Sequence, residues 1–129
     1  MTEVVLDASA LLALLLAERG AERVRAVLAG GAMSTVNFSE VVGHYARNGV
    51  EEAQVRRVLD PLPLEQIPFD SALAYAAGLL LPATKPAGLS FGDRACLALA
   101  RQRGCRAMTA DRIWTGIAAA VGVEVELIR

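Results

Sequence analysis

Short, unbroken apolar runs alternate along this chain with longer runs of helical periodicity, and that alternation restricts the fold more than any other feature. The first run, Val4 to Leu6, has no polar face, as suits a strand covered on both sides in the middle of a parallel sheet. A helix to about Arg19 follows, broken by Gly20, and a second from Ala21 to Leu28 stops at Gly30 and Gly31. Ala32 to Val36 reads as a strand, Phe38 to Arg47 as a helix ended by Asn48-Gly49, and Glu51 to Leu59 as a charged helix closed by Pro61 and Pro63. Leu64 to Phe69 gives a weak strand, and Asp70 caps a helix ending near Leu81. Pro82 to Leu89 is expected to be a loop. A helix from Phe91 to Gln102, a strand at Arg106 to Met108, a short helix from Arg112 to about Val121 and a strand from Val123 to Ile128 complete the chain.

Strands that alternate with helices predict an α/β fold, a three-layer α/β/α sandwich around a parallel sheet. The 129 residues suit one domain, 1–129, with a real core. In such sheets the helices begin at the carboxyl edge of the strands, and ligands bind there. Asp7, Glu40 and Asp111 each fall just after a strand, and Asp93 opens the helix that leads into the fourth strand. If the first, second and fourth strands are neighbours, these four acids meet. Carboxylates at one spot repel one another unless a cation lies between them. An all-oxygen donor set suits magnesium or manganese, and such a cation can promote phosphodiester hydrolysis.

Each acid also has a structural explanation. Asn37-Phe38-Ser39-Glu40 and Ser90-Phe91-Gly92-Asp93 both have capping-box spacing, and Asp7 and Asp111 sit where ordinary N-caps sit. Ser9 and Thr109 flank the acids, to orient them or to cap locally. Arg94 and Arg112 each follow an acid and suit either phosphate contact or surface pairing. Trp114 suits base stacking or, more commonly, core packing. His44 lies one turn beyond Glu40, and a substrate role for it is the minority reading.

Bulk composition narrows the classes. A net charge of −1 excludes a strongly basic nucleic-acid binder, and 54% hydrophobic residues exclude disorder. Of the thirteen basic residues only Lys85 is a lysine. The two cysteines, Cys96 and Cys105, are too few for a secreted disulfide framework, and Glu3 stands where a leader would be basic. The apolar run from Ala8 to Ala17 is about half a membrane span. A cytoplasmic protein with reduced core cysteines is expected. One histidine and no Cys-x-x-Cys argue against zinc.

Taken together, VVLDASALLALL, NFSEVV, LSFGDRACLALA and TADRIW resemble, in order and separation, the motifs of PIN-domain ribonucleases, and among these the VapC-type toxins of toxin–antitoxin pairs. The resemblance covers essentially the whole chain. It implies a five-stranded parallel sheet of order 3-2-1-4-5 and a magnesium-dependent endoribonuclease, with manganese as substitute. It makes Asp7 and Asp93 the most direct metal ligands, with Glu40 and Asp111 completing the pocket, and it implies an RNA substrate, a homodimer and a cognate VapB-type antitoxin. Two other classes remain open: an aspartate-nucleophile phosphatase of the haloacid-dehalogenase type, which wants a second aspartate where Ser9 stands, and a catalytically silent PIN-like binding scaffold. A response-regulator receiver is excluded, lacking the acidic pair after the first strand.

Overall fold

The computed structural model describes residues 2–129. Five strands, β1 (Val4–Leu6), β2 (Gly31–Ser34), β3 (Glu65–Ile67), β4 (Arg106–Thr109) and β5 (Val125–Leu127), form one sheet of order β3-β2-β1-β4-β5. Every pairing is parallel. The expected fold class and strand order are therefore those of the molecule.

Helices cover both faces, and the pleat decides which strand residue meets which layer. Val4, Leu6, Met33 and Met108 pack with α1 (Ala8–Leu15), α2 (Ala21–Val27), α3 (Thr35–Arg47) and α4 (Glu52–Leu59). Val5, Ala32 and Ala107 point the other way, onto α5 (Ser71–Leu79), α7 (Phe91–Arg103) and α8 (Ala118–Val121). A short α6 (Leu81–Thr84) joins α5 to α7. Val4, Val5 and Leu6 are fully buried, which is why β1 has no polar face to show in the sequence.

Several boundaries differ from expectation for local reasons. The first helix ends at Leu15 and not near Arg19, because Ala17 adopts a left-handed conformation (φ 55). Glu18 N then bonds Ala13 O and Ala17 N bonds Leu14 O, a Schellman stop with alanine where glycine is usual. The helix α3 starts at Thr35, three residues early. Ser34 closes β2 and caps the helix by accepting from Val36 N, so the β-branched Thr35 and Val36 belong to a helical first turn. The stretch 82–89, expected as a loop, is largely helical: Pro82 opens α6, where a missing N–H costs nothing, and a 3₁₀ turn spans Lys85–Ala87. The last helix splits into a 3₁₀ turn, Arg112–Gly116, and α8. No helix is long and apolar enough to cross a membrane among the described residues.

Candidate active site

The sheet runs outward from β1 in both directions, so the crevice between β1 and β4 is its switch point. Asp7 follows β1 directly and its N–H bonds Met108 O, extending the ladder to the sheet's carboxyl edge. Although it precedes α1, its side chain caps nothing. Instead Oδ2 accepts from Ser9 Oγ at 2.7 Å and from Thr109 Oγ1 at 2.9 Å. Each hydroxyl in turn accepts a backbone N–H from beyond β4, Ser9 from Ala110 and Thr109 from Asp111. With both hydroxyl protons spent on Oδ2, the 3.2 Å approach of Ser9 Oγ to Thr109 Oγ1 is a contact between two donors to the same acceptor. Both side-chain bonds that Asp7 accepts fall on one oxygen, and among the described residues Oδ1 has no partner.

Asp7 is 6% exposed. Burial pushes its pKa up to about 6; the two hydroxyls pull it back, and the charges of Asp93 and Glu40 push it up further. Cys96, buried beneath the same place, feels Asp7, Asp93 and Glu40 in addition to its own burial, and its thiol is pushed well up. Asp93 and Glu40 thus lie near enough for their charges to reach Asp7.

Glu40 is not the third residue of a capping box, because α3 begins at Thr35 and places it in the second turn. Asn37, fully buried in the turn before, donates Nδ2–H to Glu40 Oε1 at 2.9 Å and to Gly92 O at 2.9 Å. The carboxylate lies against Gly92, where a Cβ would come within 2.7 Å of Glu40 Cδ. Asp93 does form the expected capping box: Oδ2 accepts from Ser90 N at 2.8 Å while Asp93 N donates to Ser90 Oγ. Asp111 caps the 3₁₀ turn through Ile113 N, and its backbone N–H holds Thr109. It shares the edge with the other three, yet it is not among the charges that act on Asp7.

Convergence is therefore looser than expected. Among the described residues no three acid, histidine or cysteine side chains form a ready metal cage. The physical reason lies in competing bonds, since Asp93 and Asp111 each spend an oxygen on a helix start while like charges hold the group apart. Magnesium does not need a cage, because it keeps several waters and takes one or two carboxylates. The oxygen donors present, with Asp7 Oδ1 uncommitted, fit that demand.

The remaining candidates separate cleanly. Trp114 is fully buried and belongs to the core, not to a stacking surface. Among the described residues Arg94 pairs with no acid; its Nη1 donates to Leu89 O at 3.3 Å. Arg112 is exposed. His44 meets Tyr45 edge to face and approaches Arg47 Nη2 through Nδ1 at 3.4 Å. Asn37 and Gly92 were not apparent as site residues in the sequence, where Asn37 looks like a cap; only its three-residue spacing from Glu40 hinted at the pairing.

The family model described as PIN domain matches residues 4–120. Solved structures with the same fold include DNA-bound VapBC from Salmonella typhimurium, 18% identical over 100% of both chains with a TM-score of 0.78. A toxin–antitoxin complex from Klebsiella pneumoniae is 19% identical over 98% of each chain, TM-score 0.75. FitAcB from Neisseria gonorrhoeae is 23% identical over 95% of each, TM-score 0.68. No curated protein matches the chain. With the family model spanning nearly every element from β1 to α8, the chain belongs to the PIN-domain family.

Proposed function

We propose that this protein is a magnesium-dependent endoribonuclease, with manganese able to substitute, and the toxin of a type II toxin–antitoxin pair. The observation that carries the reading is Asp7: a carboxylate buried at the switch point, raised by burial and by two neighbouring acids. A divalent cation would offset that cost, and among the described residues no basic side chain pairs with Asp7.

Asp7 Oδ1 and the Asp93 carboxylate would hold the cation, with Glu40 and Asp111 engaging it directly or through its waters. When bound, such a cation stabilises charge on phosphoryl oxygens and lowers the pKa of a coordinated water. Ser9 and Thr109 fix the Asp7 carboxylate by occupying Oδ2, so that Oδ1 is presented in one direction. Glu40, exposed at this edge, would take a proton from an attacking water. Attack by water leaves a 5′-phosphate and a 3′-hydroxyl and makes no use of the 2′-hydroxyl. Preference for RNA then comes from shape and single-strandedness.

A toxin role is supported by the VapBC and toxin–antitoxin complexes that share the fold. On this reading a VapB-type antitoxin covers the acidic edge, the chain forms a homodimer, and it acts in the cytoplasm. The test is incubation of labelled single-stranded RNA, and separately of a phosphomonoester, with the protein in magnesium or in chelator. Magnesium-dependent RNA cleavage lost in Asp7→Asn and Asp93→Asn, by at least the ~10–100-fold that an outer-shell change would cost, supports the reading. Turnover of the monoester alone points to the phosphatase alternative, and no turnover of either to a binding scaffold.

A further inference from the structure

Asn37 is fully buried, yet one of its polar atoms has no partner. Its Nδ2 donates to Glu40 Oε1 and to Gly92 O, both at 2.9 Å. Both partners are acceptors, so only the nitrogen can face them and the amide orientation is set. Oδ1 is left buried and unbonded. An apolar side chain would fill that space without stranding an acceptor, so packing alone does not account for asparagine here.

The backbone of Gly92 also lies close against the Glu40 carboxylate. A Cβ at Gly92 would collide with Glu40 Oε2 and approach Cδ and Oε1 to 2.7 Å. Glu40 is a long, exposed side chain, and without a tether it would sample many rotamers. Gly92 also immediately precedes Asp93. One amide therefore ties the second turn of α3 to the first turn of α7, and with it sets Glu40 relative to Asp93.

We propose that Asn37 is a positioning residue, forming with Gly92 a cradle that fixes the Glu40 carboxylate for the divalent cation. The proposal rests on the metal-dependent reading above. Asn37 acts through Glu40 and touches neither cation nor RNA, which makes its effect conditional on Glu40.

The test is Mn²⁺ titration followed by the spin-resonance signal of the free ion, on wild type, Asn37→Leu, Glu40→Gln and the double variant. Asn37→Leu is expected to weaken Mn²⁺ binding about tenfold, as loss of an outer-shell partner does. Glu40→Gln should weaken it at least as much, and the double variant no further than Glu40→Gln alone. Unchanged affinity in Asn37→Leu, or the same tenfold loss in both backgrounds, overturns the proposal. If Asn37→Leu fails to fold, Gly92→Ala displaces Glu40 with Asn37 intact. It should lose about tenfold in Mn²⁺ affinity with a melting temperature near that of wild type, because the displaced Glu40 carboxylate is exposed and free to swing away. Wild-type affinity in Gly92→Ala contradicts the cradle alone, whereas a wild type that binds no Mn²⁺ overturns the metal-dependent reading with it.

Discussion

Thr109 Oγ1, at the end of β4, donates to Asp7 Oδ2 across the sheet's switch point at 2.9 Å, joining residues 102 positions apart. The same hydroxyl accepts from Asp111 N at 3.1 Å. One threonine thus links two candidate acids just beyond the ends of neighbouring strands and aims the buried carboxylate.

Removing that link has a defined effect. Thr109→Val keeps the shape and deletes the donor, so Asp7 loses one of the two bonds that favour its charged form. The Asp7 pKa should rise further, and the pH at which magnesium binding is half-developed should move up with it. Isothermal titration with Mg²⁺ across pH 5–8 measures this (roughly the range in which the raised carboxyl titrates); an unshifted profile would show that Thr109 does not tune Asp7.

Asp7 also makes stability depend on pH. Its pKa is raised from 3.8 to about 6 in the folded chain. The protonated form is thus favoured by folding: its contribution is full below pH 3.8 and lost as pH rises through about 6. A shift of that size corresponds to about 3 kcal/mol. Without divalent metal, Asp7→Asn should therefore be more stable than wild type at pH 7.5, by up to about 3 kcal/mol, and the advantage should vanish near pH 4. Magnesium should stabilise wild type and not the variant. Urea denaturation at the two pH values reads both effects.

The Schellman stop after α1 uses Ala17 at φ 55, an exposed position. Replacing it by glycine removes the clash of a Cβ with the following carbonyl. Ala17→Gly is expected to stabilise the protein by about 1 kcal/mol, or several degrees in melting temperature. A lower melting temperature would mean that the left-handed turn is not populated.

The two thiols should react unequally. Cys96 is fully buried, and burial and three acids hold its thiol protonated; Cys105 is half-buried, and burial raises its pKa against the pull of Arg103 and Arg106. With a thiol-specific chromogenic disulfide at pH 8, the native protein should show one slow equivalent, from Cys105, and the second only on unfolding. Rapid labelling of Cys96 would contradict its placement under the acidic edge.

Most of the architecture was legible because its signals are local. The all-apolar Val4–Leu6, the left-handed Gly104 that ends α7, and the Ser90–Asp93 capping box each fix an element by short-range physics, whereas α2 stops at Val27, before Gly30 and Gly31 are reached. Sequence and structure part where a local rule has two outcomes. Thr35 and Val36 favour a strand, yet the Ser34 cap turns them into a helix start, and that moved Glu40 from a cap to a second-turn side chain. Pro82 breaks a helix interior but also begins one. The Asn37–Glu40 half of the cradle left only a three-residue spacing as a hint, and the Gly92 half left none, because that contact joins residues 55 positions apart. Short-range spacing carries no information on such a pairing. Trp114 shows the reverse: its commoner role, core packing, is the one it has.

The most direct measurement is a crystal soaked in MnCl₂ and measured at the manganese absorption edge. An anomalous peak about 2.1–2.3 Å from Asp7 Oδ1, with the Asp93 carboxylate drawn in toward it, is the predicted result. A peak elsewhere, or none at millimolar Mn²⁺ with the acids unmoved, would contradict a cation-based chemistry at this edge.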